Sequence, residues 1–97
     1  MEKDKYFTLV KEIVNKIDPI GLLKQGAPSD EYEEEIQRIA AKFRICNSTE
    51  DIQKLVYNIF KENFGQETAG DISLYLDIAQ QLSHLLKSRK RGQSDFY

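Results

Sequence analysis

The chain has 97 residues, of which 40% are hydrophobic, and its 14 Lys and Arg residues against 16 Asp and Glu residues leave a formal charge of −2. This length allows one compact domain, and the apolar fraction argues against disorder along the whole chain. The near-neutral charge argues against a protein built mainly to bind nucleic acid. The absence of an apolar run of about 18 residues argues against a membrane span. A polar start without a secretory signal and a single cysteine, Cys46, predict a protein of the reducing cytoplasm.

The first predicted helix extends from about Asp4 to Ile17. Its apolar residues fall within about 120° of a helical wheel: Tyr6, Phe7, Val10, Ile13, Val14 and Ile17. Proline disfavours helical geometry in the residue before it, so Asp18-Pro19 is predicted to end this helix. The same pair can begin a new turn, with Asp18 as its N-cap and Pro19 at its first position.

The predicted connection from Asp18 to about Asp30 is long for a small helical domain, in which such links usually have about 2 to 8 residues. It contains three large aliphatic residues: Ile20, Leu22 and Leu23. We therefore expect this segment to pack against the helices and not to hang as a mobile tether.

The second helix is predicted from Ser29 or Asp30 to about Cys46, with Asp30 and Glu33 resembling a capping box. One face carries Tyr32, Ile36, Ile39, Phe43 and Cys46, with Ala40 at its edge. Five of the six residues from Asp30 to Glu35 are acidic. The positive end of a helix dipole favours acidic side chains at this place.

The third helix is predicted to begin after Ser48 with Asp51, or after Asn47 with Glu50, because both pairs form an N-terminal signature. Its apolar face contains Ile52, Leu55, Val56, Ile59, Phe60 and Phe64. Gly65 is placed to end the helix, and a short polar linker is expected to follow as far as Gly70.

The fourth helix is predicted from Gly70 or Asp71 to about Arg89, and it carries two apolar stripes. The main stripe contains Ile72, Tyr75, Leu76, Ala79, Leu82 and Leu86. The second stripe contains Leu74, Ile78 and Leu85. A helix this apolar is central to a bundle or touches a partner, so the second stripe is either covered by Ile20, Leu22 and Leu23 or binds a partner or a second copy.

These elements predict an all-α fold, a compact bundle of four helices with a long, partly apolar loop between helices 1 and 2. Residues 1–90 are assigned to a single helical domain. Residues 91–97 lose the periodicity and are predicted to form a frayed C-terminal tail.

Two short strings carry a resemblance to a known family. They are Asp18-Pro19-Ile20-Gly21-Leu22-Leu23 and Gly26-Ala27-Pro28-Ser29-Asp30-Glu31-Tyr32. They resemble the YugE-like proteins, small bacterial helical proteins of unknown function, and strings found in proteins of immunity or antitoxin type. The matching positions are Asp18, Pro19, Gly21, Asp30, Glu31 and Tyr32. The resemblance implies an all-helical domain of about this length, and it implies no catalytic residue and no cofactor.

Three interpretations of the acidic cluster at 30–35 remain open. The cluster can stabilise a helix start, dock a basic partner through Glu33 and Glu34, or bind a cation if Asp18, Asp30 and Glu31 meet. Separately, Tyr32 is expected to pin the long loop by a hydrogen bond to the Asp18 region, since buried tyrosines usually satisfy their hydroxyl in this way.

The remaining reactive side chains do not form a recognisable catalytic or metal-binding set. His84 is predicted to be a solvated surface residue, and Cys46 a small apolar residue without a reactive thiol. Residues Lys87, Arg89, Lys90 and Arg91 form a basic cluster that could contact phosphates, although it also complements the helix C-terminus. No metal and no cofactor are predicted.

The sequence therefore predicts a non-catalytic protein–protein interaction module, either an immunity or antitoxin-like protein or a regulatory partner. Its predicted contact residues are Leu74, Ile78, Leu85, Glu33 and Glu34, and its partner is another protein or a second copy. The alternative is a small metal-dependent hydrolase that uses Asp18, Asp30 and Glu31. Binding of nucleic acid through the basic cluster is a third possibility that the overall charge disfavours.

Overall fold

The structure is a computed structural model that describes residues 6–94, with side chains described as far as Lys87. Five α-helices and two 3-10 turns follow one another in this part of the chain. The helices are α1 (Phe7–Ile17), α2 (Glu33–Lys42), α3 (Thr49–Phe64), α4 (Gln66–Ala69) and α5 (Leu76–Ser94), and the turns are Phe43–Ile45 and Ile72–Tyr75. Residues 6–94 contain no β-strand, so the predicted all-α fold is confirmed.

The four long helices close into a ring around one core. Helix α3 packs against α2 and α5, α1 also packs against α2 and α5, and the one-turn helix α4 lies on α3. The largest fully buried side chains come from each long helix and from the segments beside them: Tyr32, Tyr75, Phe43, Phe60, Ile36, Ile39, Ile52, Ile78, Leu82, Val10, Val14 and Val56. The predicted four-helix bundle thus describes the packing, with α4 as an addition.

Helix α1 buries the apolar face that its periodicity predicts, and it ends at Asp18, as the sequence predicts. Tyr6, Phe7, Val10 and Val14 lie in the core. Asp18 terminates the helix in the left-handed conformation, with φ 51°, and its N–H donates to the Val14 carbonyl at 2.7 Å. The predicted turn after Asp18 is present, since the Asp18 carbonyl accepts from the Gly21 N–H at 3.0 Å. The Asp18 carboxylate accepts from the N–H groups of Leu23 and Lys24, which lie further along the loop than an N-cap reaches.

Helix α2 is shorter than the sequence predicts. Two tight turns precede it, in which the N–H of Glu31 donates to Pro28 and the N–H of Glu33 donates to Asp30. Tyr32 occupies the N-cap without a capping side-chain bond. The predicted Asp30–Glu33 capping box is therefore wrong, since residues 28–33 use backbone turns in place of a side-chain cap.

Helix α3 begins and ends where the sequence signals place its ends. The Ser48 hydroxyl accepts from the Asp51 N–H at 3.1 Å, and the Asp51 carboxylate accepts from the Asn47 N–H at 3.4 Å. The first bond satisfies a backbone donor that the first turn would otherwise leave unpaired, and the second joins the residue before the N-cap to the same turn. Gly65 follows the last turn with φ 88°, a conformation that glycine adopts without steric cost.

The segment between α3 and α5 contains more structure than the predicted polar linker. It forms α4, whose Ala69 is buried, and the Tyr75 hydroxyl donates to the Ala69 carbonyl at 2.6 Å. The Asp71 side chain accepts from the Ser73 N–H and begins the 3-10 turn. The predicted fourth helix is consequently divided into this turn and α5.

Helix α5 also continues further than predicted. It runs to Ser94, whereas the sequence places a frayed tail from residue 91. Residues 91–94 are Arg, Gly, Gln and Ser, so arginine and glutamine, which have high helix propensity, alternate with two residues of lower propensity. A helix does not need an apolar face to continue for about one turn. The remaining part of the predicted tail, residues 95–97, lies outside the described residues.

Candidate functional site

A buried carboxylate and a buried tyrosine hold the long loop between α1 and α2. The Tyr32 hydroxyl donates to Asp18 Oδ1 at 2.6 Å and accepts from the Leu22 N–H at 3.3 Å. Asp18 also accepts from the N–H groups of Leu23, at 3.1 Å, and Lys24, at 3.0 Å. We call these groups the Asp18–Tyr32 lock. The expected hydrogen bond between Tyr32 and the Asp18 region is thus present.

The lock shifts the pKa values of its two ionisable groups in opposite directions, downward for Asp18 and upward for Tyr32. Burial raises the pKa of the Asp18 carboxyl, but the hydrogen bonds from Tyr32, Leu23 and Lys24 outweigh burial and hold that pKa below its usual value of 3.8. Burial, followed by the bond to Asp18, raises the pKa of Tyr32 well above its usual value. Around neutral pH, Asp18 is therefore charged and Tyr32 is a neutral donor.

The lowered pKa of Asp18 predicts a specific loss of stability in acid. A carboxyl whose pKa is lower in the folded chain contributes stability that is complete above its unfolded pKa and is lost as the pH falls through the folded pKa. We expect the difference in free energy of unfolding between the wild type and Asp18→Asn to stay constant above about pH 5 and to shrink below about pH 4. Urea titrations at several pH values measure this difference, and one that stays constant in acid would contradict the prediction.

The lock leaves Asp18 poorly suited to bind a cation. Both carboxylate oxygens accept hydrogen bonds, and the residue is 7% exposed. Asp30 and Glu31 are exposed, outside the lock. Among the residues that the structure describes, no three His, Cys, Asp or Glu side chains lie together in a group that could hold a metal ion. The convergence that the hydrolase alternative requires is therefore not observed.

The acidic start of α2 does not form one continuous surface. Glu33 lies 3.9 Å from Lys11 on α1, whereas Glu34 is exposed. Glu35 turns inward, is 4% exposed and accepts from the Asn63 side chain at 2.6 Å. Of the two predicted partner contacts in this region, only Glu34 is fully presented to solvent.

The second apolar stripe of the last helical segment is also divided. Ile78 has 0% exposure and belongs to the core, so it cannot touch a partner. Leu74 is 44% exposed and lies in the 3-10 turn, and Leu85 is half-buried. The expectation of one contact stripe is corrected because α5 packs against both α3 and α1, and this packing covers much of its apolar circumference.

Leu85 instead contributes to a groove between α1 and α5 of about 390 Å³. Its apolar lining comes from Leu9, Ile13 and Leu85, and its polar lining comes from Glu12, Gln80, Gln81 and His84. We call it the α1–α5 groove. Leu9, which is 40% exposed, was not among the predicted contact residues. Its position beside the main apolar face of α1 is the sequence signal that could have indicated it.

A smaller cavity of about 90 Å³ lies beside Cys46 and is lined in part by Ser48, Ser83 and Lys87. Burial and the nearby charge of Asp51 raise the pKa of the Cys46 thiol. A raised pKa lowers the fraction of reactive thiolate, which agrees with an apolar role. Lys87 is exposed, while the side chains of the predicted basic residues Arg89, Lys90 and Arg91 lie outside the described ones.

Comparisons of this chain with protein-family models, curated proteins and solved structures found no match. The resemblance to YugE-like proteins therefore stays a prediction. Across the described residues, no helix combines the length and the apolarity that crossing a bilayer would require.

Proposed function

We propose that this domain is a non-catalytic protein–protein interaction module that binds a helical surface of its partner at the α1–α5 groove. The observation that carries the proposal is the groove itself, in which three aliphatic side chains from two helices lie between polar residues. A biological role of immunity, antitoxin-like or regulatory type belongs to the same proposal. So does a cytoplasmic location, for which the single cysteine is the support.

The exposure of the groove lining favours a protein over a small molecule. Small-molecule sites bury about 70–90% of their ligand inside a concave pocket. Here Leu9 and the polar lining residues Glu12, Gln80, Gln81 and His84 are exposed to solvent. Such a shallow groove would leave much of a small ligand in water, but it suits a larger surface that spans both helices.

The arrangement of the apolar residues favours a helical partner. Leu9 and Ile13 are four residues apart on α1, so they lie on one face, and Leu85 meets them from α5. Two neighbouring helices with aliphatic side chains between them form a channel that a third helix can fill with residues at i, i+3, i+4 and i+7.

Leu85→Arg is expected to abolish partner binding while leaving the helical content intact. The guanidinium would bring a desolvated charge into the apolar part of the interface, which is strongly unfavourable without a partner. Affinity capture from the native host lysate, with circular dichroism of the purified variant, measures both effects.

Leu74→Arg provides the matched control, because Leu74 is an exposed leucine outside the groove. A specific partner should be retained by the wild type and by Leu74→Arg, and lost on Leu85→Arg. Equal recovery on all three proteins would contradict binding through the groove.

A further inference from the structure

One exposed face of α5 has an unusual symmetry of spacing and charge. Asp77, Gln80, His84 and Lys87 are all exposed and follow one another at intervals of three, four and three residues. Residues at these spacings lie on one side of a helix. The face therefore has an acidic residue at its beginning, a basic residue at its end, and two polar residues between them.

The charges on this face are complementary to those of a second copy of the same face that runs in the opposite direction. Consider two antiparallel copies of α5 related by a two-fold axis that crosses the helix pair at the level of residue 82. In this arrangement, Asp77 of one copy faces Lys87 of the other. The same axis places Gln80 opposite His84, a pair that can share a hydrogen bond. Each contact occurs twice, as an isologous interface requires.

We propose that the partner of the α1–α5 groove is a second copy of this chain, paired through antiparallel α5 helices. The inference rests on the proposed interaction function and names its partner. A parallel arrangement would bring Asp77 beside Asp77 and Lys87 beside Lys87, and like charges at an interface select against that orientation.

In this interface, the charge pairs determine orientation and register, and the apolar contacts determine affinity. Exposed ion pairs contribute little to affinity, so the Asp77–Lys87 pairs fix the orientation and register of the two helices. Affinity comes from covering Leu9 and Leu85, which line the groove together with Gln80 and His84 of the paired face. Because the apolar part is small, we expect a reversible dimer that forms as concentration rises.

Charge reversal tests the proposed register directly. Sedimentation velocity of the full chain over a range of concentrations should show a monomer–dimer equilibrium. Asp77→Lys or Lys87→Asp should each weaken the dimer by about tenfold or more, because each change creates two like-charge contacts per dimer. The double variant D77K/K87D should recover dimerisation, since it exchanges the two charges and retains their complementarity.

Glu67→Lys is the control for net charge, because it changes the charge by the same amount as Asp77→Lys at an exposed position on α4. It should leave the dimer unchanged. An equal loss in Glu67→Lys, or no recovery in the double variant, would overturn the antiparallel register.

Different results would contradict the proposed dimer and the more general interaction function. A wild-type chain that stays monomeric up to about millimolar concentration would overturn the second copy as partner. Its dissociation constant would then exceed about 1 mM, which corresponds to a binding free energy weaker than about −4 kcal/mol. In that case, a protein from the lysate that is retained by the wild type and by Leu74→Arg, but lost on Leu85→Arg, would support the proposed function with a different partner.

Discussion

Replacement of Asp18 by alanine is expected to lower the free energy of unfolding by about 3–4 kcal/mol, because several hydrogen bonds to a charged group are lost together and each contributes about 1.5–3 kcal/mol. The Tyr32 hydroxyl and the N–H groups of Leu23 and Lys24 would lose their acceptor. Alanine is also less tolerant than aspartate of the left-handed backbone at this position. Urea unfolding followed by circular dichroism measures the effect.

Asp18→Asn is the matched control for this variant. Asparagine adopts the left-handed conformation readily and keeps one oxygen acceptor, but it loses the charge and turns the other oxygen into a donor. We expect a loss of about 1–2 kcal/mol, in line with one hydrogen bond to a charged group. If alanine and asparagine destabilised the domain equally, the hydrogen bonds of the lock would not be the cause of the lost stability.

Phe60→Ala is expected to lower the free energy of unfolding by about 3–5 kcal/mol, the usual range for removing a buried aromatic ring. Phe60 is fully buried, and its ring centroid lies 5.5 Å from that of Tyr32, 5.7 Å from Phe64 and 5.1 Å from Tyr75. Truncation would leave a cavity in the middle of this aromatic cluster. Thermal and urea unfolding of the purified variant give the magnitude.

Phe64→Ala provides the comparison on the same helix. Its ring also contacts Tyr32 and Phe60, but the residue is half-buried. Less apolar area returns to water and less cavity remains, so the loss should be clearly smaller than for Phe60→Ala. A loss at Phe64 as large as that at Phe60 would contradict the expectation that the loss of stability follows the burial of each ring.

The helices could be predicted from sequence because local signals determine them. Apolar residues at intervals of three and four indicate α1, α2 and α3, and Ser48 and Gly65 mark the ends of α3 through side-chain and backbone chemistry that acts within one turn. The pair Asp18-Pro19 marks both the end of α1 and the start of the following turn, and both features are present in the structure. The bonds that the Asp18 carboxylate accepts from the N–H groups of Leu23 and Lys24 join residues that are five and six positions apart in a loop, which helical periodicity does not describe.

The candidate site depends mainly on contacts that periodicity does not describe. A helical wheel groups Leu74, Ile78 and Leu85, but it cannot show which neighbouring helix covers each side chain. Packing of α5 between α1 and α3 buries Ile78 and leaves Leu85 beside Leu9. The groove therefore joins residues that are about 75 positions apart in the chain, and this juxtaposition required the tertiary structure.

The ring of helices closes where α1 meets α5, and this has a consequence during synthesis. Domains generally acquire structure from the N-terminus as the chain emerges from the ribosome. A nascent chain can present Leu9 and Ile13 early, but the surface that faces them is complete only once α5 has emerged and docked. A partner that needs both walls would thus distinguish a finished domain from an unfinished one.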